Sequence, residues 1–274
     1  MSVCDQLAWD LRMENSPAKS DRLLCKADPP AVELLNERGT GGFVFGCEHA
    51  GNRIPLSLGS LGLSRAERTR HIAWDIGAAR LTEKLSEKLD SPAVLQAYSR
   101  LVFDCNRTMD HPGAFVVDAD GSYVSGNAGL NREEKSRREA EIYRPFHNAL
   151  SAVLDRRRWV GERFSYVAVH SFNDEVRGQK RPWHVGFLYS QHSAMSHFLI
   201  DWFRKNTGYT IGDNQPYSPL DAVDHTLRVQ AEVRSIPYTM IEVRNDLLRS
   251  DKSIAEWAAL LTQALRAFEH HNNT

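Results

Sequence analysis

The sequence predicts an α/β fold: a three-layer sandwich with a mixed, mainly parallel sheet and helices on both faces. Apolar runs of strand character alternate with amphipathic helical stretches along most of the chain. Its 274 residues also suffice for a single α/β domain with a large core, and no internal repeat or low-complexity tract divides them.

Residues 1–30 read as a peripheral N-terminal segment, because "ENSPAKSD" and "KADPPAVE" are polar and proline-bearing without a clear period. That character lasts to about residue 40, where "NERGTGG" turns the chain into the first strand, "GFVFGC". Ser64 and Glu67 have the spacing of a capping box at a helix start. Ile76, Ala79, Leu81, Leu85 and Leu89 lie at roughly helical spacing and predict a second helix. "PAVLQAYS" is a strand, and "LVFDCNR" is a short apolar run read as another. Residues 109–130 are glycine-rich and irregular, a long loop of the kind that serves a site. A long helix follows, apolar at Ile142, Phe146, Leu150 and Leu154. "FSYVAVHSFN" and "RPWHVGFLYS" are strands, and "SAMSHFLIDWFRKNTG" is a helix closed by Gly208. "YTIGDNQPYS" is strand and loop, "SIPYTMIEVRNDLL" a strong strand, and "KSIAEWAALLTQALRAFEHH" a closing amphipathic helix. Residues 31–274 are expected to form one catalytic domain.

The formal net charge of −1 offers no field to draw nucleic acid or an anionic membrane. No apolar run approaches the ~20 residues of a membrane span. The start of the chain lacks a basic-then-apolar signal pattern, so a cytoplasmic location is expected. Cys4, Cys25, Cys47 and Cys105 are scattered without a CxxC pair, which argues against a thiolate zinc site; Cys47 and Cys105 read as buried thiols. There is no GxSxG elbow, phosphate-binding GxxxxGK[ST] loop or HExxH helix, and no basic stripe interleaved with aromatics.

The informative feature lies where apolar runs end. "FVFGCEHAGN", "LVFDCNR", "YVAVHSFN" and "TMIEVRND" each pass from apolar to polar within a few residues. Open α/β sheets carry their chemistry at the carboxyl ends of strands, so four such endings predict one convergent site. Imidazole is the usual ligand of catalytic zinc, and His49 and His170 follow their strands most closely. Either one alone reads rather as a hydrogen-bonded residue at the core edge; together they point to a metal. Glu242 stands among buried neighbours, where an ionised carboxylate needs a partner. It is a general base beside a metal, or else the partner of Arg244 on the same strand face. Arg100, Arg107 and Arg244 flank the runs and suit recognition of a carboxylate or carbonyl, with Asp104 as a structural partner in the alternative. His147 reads as packing.

Taken in order, "CEHAGNRIP", "WDIGAARL", "SRLVFDCNR", "YRPFHNAL", "VAVHSFN", "DNQPYS" and "IEVRNDLL" resemble the N-formylglutamate amidohydrolase family, from about Val32 to Leu248. The resemblance implies a zinc-carboxypeptidase and aspartoacylase-like architecture (phosphorylase/hydrolase-like) with a mixed eight-stranded sheet. It implies hydrolysis of an N-formyl or other N-acyl amide of an acidic amino acid, with N-formylglutamate giving glutamate and formate in histidine degradation. It also implies Zn2+ or another divalent metal on His49 and His170, with Glu242 as base toward metal-activated water. Asn106 and Arg107 would take a substrate carboxylate, Arg107 close to the reaction. Arg100 and Arg244 would serve a second carboxylate or the oxyanion. The wider architecture uses HxxE, whereas Asn52 stands three residues after His49; Asn52 is therefore the expected third ligand, with Glu48 and Asp75 as alternatives. Gly51 is expected to allow a tight turn beneath His49. The implied partner is a small acyl-amino-acid substrate, with no nucleic acid and no membrane. A related amidase or carboxypeptidase-like hydrolase of another acyl-amino acid stays open, and Asn52 keeps open a non-catalytic small-ligand-binding homologue.

Overall fold

The computed structural model describes residues 22–176, 178–217 and 225–273; Cys4 lies outside them. Strands β1 (Val32–Leu35), β2 (Phe43–Cys47), β3 (Ala93–Gln96), β6 (Ser165–Phe172), β9 (Val185–Leu188), β10 (Ile211–Asp213) and β11 (Tyr238–Arg244) form one sheet. Between β3 and β6 lies the hairpin of β4 (Asp118–Ala119) and β5 (Ser122–Tyr123); between β6 and β9 lies that of β7 (Glu175–Val176) and β8 (Gln179–Lys180). The main sheet runs β1-β3-β2-β6-β11-β9-β10. It is parallel from β3 through β11 and between β9 and β10, and antiparallel at β1–β3 and β11–β9. This is the expected mixed, mainly parallel sheet, with seven strands in place of the eight that the resemblance implies.

Every residue of β2 and β6 is buried, as central strands covered on both faces require. Alternation along the strands sends Val167, Val169, Ile241 and Val243 to one face. There they meet Leu81 and Leu85 of α1 (Ala78–Lys88), Phe203 of α4 (Ala194–Asn206), and Leu261 and Leu265 of α5 (Asp251–Asn273). Tyr166, Ala168, Tyr238 and Met240 point the other way, against Phe146, Leu150 and Leu154 of α3 (Arg144–Trp159). The long helix expected before β6 is α2 (Arg132–Arg138), a π turn at Glu139–Tyr143 and then α3, started by a capping box of Asn131 and Glu134.

Four expectations need correction. "LVFDCNR" is not a strand: residues 101–107 form turns, and the run is apolar because Leu101, Val102, Phe103 and Cys105 are buried in the core. The Ser64–Glu67 box does close, with the Ser64 N–H donating to Glu67 (2.9 Å) and the Glu67 N–H to Ser64 Oγ (3.2 Å), but only a short 3-10 turn at Glu67–Thr69 follows it, not a helix. Helix α4 ends at Asn206, two residues before Gly208. Strand β1 arises in a stretch that showed no period; as an antiparallel edge strand it leaves Glu33 and Leu34 exposed, so no buried run marks it. Leu23, just upstream, is buried, and the N–H groups of Leu23 and Leu24 donate to the Glu141 carboxylate (2.6 and 3.0 Å).

Candidate active site

His49 stands two residues beyond β2, His170 lies on β6, and Asp75 sits three residues before α1. The Asp75 N–H donates to the His49 carbonyl (2.9 Å), which ties the approach to α1 to the end of β2. Gly51 follows with no left-handed backbone; a Cβ there would lie 2.0 Å from the Ala97 carbonyl oxygen. Its role is thus close approach to the chain after β3, not the tight turn expected.

The imidazoles cross at 75° with ring centres 4.9 Å apart. Both turn Nδ1 to one oxygen, Asp75 Oδ2, at 3.3 Å from His49 and 2.7 Å from His170. Each outer nitrogen faces a second carboxylate. His49 Nε2 is 2.7 Å from Asp104 Oδ1, and His170 Nε2 is 3.0 Å from Glu48 Oε2, the latter an ionic contact without hydrogen-bond alignment. Arg100 closes the cluster against Asp104 (2.5 Å) and Asp75 (3.6 Å).

Burial opposes every charge here, and the partners overcome it. His49 and His170 hold Asp75 far below the usual carboxylate range. Arg100 and His49 do the same for Asp104, and His170 lowers Glu48. Burial and Arg100 push His49 down, but Asp104 and Asp75 raise it; Glu48 and Asp75 raise His170 strongly. The three carboxylates thus favour the imidazolium form of both histidines, with Arg100 as a third positive partner.

This donor set fits a divalent cation. One ligand atom from each of His49, Asp75 and His170 lies within 4.8 Å of the others, and two imidazoles with a carboxylate are a common catalytic zinc set. Asp104 and Glu48 stand where outer carboxylates orient metal-binding imidazoles. Exchanging the two inner imidazolium protons for one dication leaves the charge balance unchanged.

Glu242 differs from the other acids. It pairs in register with His170 across β11 and β6. Burial and nearby Asp75 push its carboxyl up to about 7, against the pull of His170. Its Oε2 is buried and has no hydrogen-bond partner among the described residues. The alternative pairing with Arg244 does not form, because Arg244 binds Asp246 (2.7 Å).

The remaining expected residues are distributed differently. Asn52 turns away and donates Nδ2–H to the Arg68 carbonyl (3.1 Å), so the cluster's shared carboxylate comes from Asp75. Asn106 uses its side-chain oxygen to accept the N–H groups of His225 (3.0 Å) and Thr226 (2.9 Å). Arg107 is near both Asp104 and His225, favouring the charge of the first and disfavouring that of the second. His225 Nε2 is hydrogen-bonded to the Tyr143 hydroxyl (2.5 Å), and burial with His147 pushes its imidazole down to about 4. His147 is buried and satisfied, donating Nε2–H to the Cys105 carbonyl (2.8 Å). Sequence reasoning missed the outer roles of Glu48 and Asp104 and the Tyr143–His225 pair. The signal for the carboxylates was available, since two acids at the ends of buried runs need cationic partners.

The N-formylglutamate amidohydrolase family model matches residues 41–249. A gene product of Agrobacterium tumefaciens has a crystal structure that is 34% identical, with a TM-score of 0.87, over 90% of this chain and 100% of that one. The N-formylglutamate amidohydrolase of Ralstonia eutropha shares the fold at 19% identity and a TM-score of 0.69, over 88% of this chain and 98% of that one. A search of curated proteins gave no match. With a family match across most of its sheet and site segments, the chain belongs to the N-formylglutamate amidohydrolase family.

Proposed function

We propose that the protein hydrolyses the formamide of N-formylglutamate to glutamate and formate with a divalent metal, zinc foremost, held by His49, Asp75 and His170. The observation that carries the reading is a balanced, buried two-histidine, one-aspartate cluster beside a carboxyl with an unbonded oxygen. A bound dication would supply Lewis acidity, polarising the amide carbonyl and making water acidic near neutral pH. Glu242 takes a proton from the attacking water and delivers it to the amide nitrogen as the C–N bond breaks. Its raised carboxyl suits both directions of that transfer. Asp104 and Glu48 keep the histidine rings oriented, and Arg100 offsets the surplus of carboxylates. Arg107, near enough to Asp104 to favour its charge, is assigned to favour developing negative charge in the reaction. Residues 31–274 act as one catalytic unit, against which Leu23 packs.

The test is formate release from N-formyl-L-glutamate, measured against N-acetyl-L-glutamate and N-formyl-L-alanine. The expected outcome is strong preference for the first, loss of turnover in chelator, and recovery with zinc. Absence of formate release by metal-loaded protein would overturn the reading.

A further inference from the structure

The expected substrate carries two carboxylates, yet the arginines singled out from the sequence have acidic company. Arg100 is held by Asp104 and Asp75, Arg244 by Asp246, and Arg107 lies beside Asp104. Arg181 is different. Its N–H donates to the Asp174 carbonyl (2.7 Å), closing the β7–β8 hairpin. Its guanidinium lies 5.9 Å from the Phe172 ring centre and 4.6 Å from that of Tyr217, and donates to the Tyr217 hydroxyl (2.8 Å). Among the described residues no carboxylate pairs with it.

Strand geometry puts this group beside the reacting centre. Phe172 is two residues past His170 on β6, so both side chains share a face, and its register partner Arg244 stands two past Glu242. On the other side of β11, Gly186 pairs with Glu242 and points to the same face. A Cβ on Gly186 would lie 1.8 Å from the Gln215 carbonyl oxygen. The missing side chain thus lets the chain at Gln215 cross the sheet next to Glu242, two residues before Tyr217. The Tyr217 side chain is 40% exposed, and its phenol is raised by burial and by the charge of the nearby Glu242 carboxylate.

We propose that Arg181 and Tyr217 form a carboxylate-binding subsite that selects the dicarboxylic substrate, with the guanidinium as the charged fork and the hydroxyl as a second donor. Phe172 and the Tyr217 ring preset the guanidinium plane, so binding orders little. The inference deepens the proposed reaction and relies on it for the identity of the substrate.

The test is calorimetric titration of the purified, metal-loaded protein with glutarate and its monoamide glutaramate. Wild type should bind glutarate at least about tenfold tighter, and Arg181→Met should reduce that ratio to below about two while glutaramate affinity stays within about threefold. Arg181→Gln, which keeps a donor without charge, should behave alike, and Tyr217→Phe should weaken glutarate alone. Equal affinities in wild type, or an undiminished ratio in either Arg181 variant, would overturn the subsite. Hydrolysis of N-formylglutamate by wild type reports on the reaction separately: its absence with the glutarate preference intact overturns the substrate and leaves the subsite standing.

Discussion

Glu242 and Asp75 are carboxylates in one buried pocket with opposite tendencies. Asp75 faces two imidazoles and stays ionised; Glu242 has an unbonded oxygen and holds its proton to about pH 7. As the proposed base, Glu242 must be ionised to act, so kcat/KM should rise with pH along an acid limb at or below about 7, a bound dication drawing it lower. Glu242→Gln should cut kcat by about 10²–10⁴ with metal content unchanged by elemental analysis. A stability signature accompanies this. The folded carboxyl titrates above the ordinary 4.5, so ionising it weakens the fold as pH rises from 4.5 through about 7. In chelator, the permanently neutral Gln variant should therefore melt above wild type at pH 8 and level with it at pH 4. A lower melting temperature at pH 8 would contradict the placement of this proton.

At the scale of elements, Asn106 shows how a polar residue in a turn can serve architecture. Its side-chain oxygen caps two N–H groups ahead of the π turn at Leu227–Ala231. Asn106→Ala should cost about 1–3 kcal/mol through those unmet donors, and Asn106→Asp, which keeps an acceptor, much less. Paired thermal melts measure both. The same residue marks how far the sequence is legible. Central strands such as "YVAVH" announce themselves because both faces are buried, and the histidines and glutamate at their ends could be located from that pattern. Asp75 was harder to choose over Asn52, because the loop before α1 folds back onto β2 through one backbone bond that leaves no sequence period. Strand β1 was hidden for a related reason: an edge strand packs half its surface and carries half the signal.

The whole molecule draws its site from the carboxyl edge of β2, β6 and β11 and from the loops that flank them. A ligand that binds only the assembled edge stabilises the entire fold by mass action. Zinc at about a thousand times its dissociation constant should add about 4 kcal/mol, seen as a rise of roughly 8–16 °C in melting temperature for a domain of this size. The rise should vanish in His49→Ala/His170→Ala, and persistence there would remove those histidines as ligands. No helix among the described residues is long and apolar enough to cross a membrane.

The parallel pairing of β2 with β6 has a further consequence. His49, Asp75 and Asp104 precede the long α2–α3 helical stretch, and His170 and Glu242 follow it. A chain severed within that stretch would leave neither fragment with a complete set of reacting groups. Recovered turnover from two mixed fragments would then report docking of β6 against β2, making hydrolysis a gauge of strand reassembly.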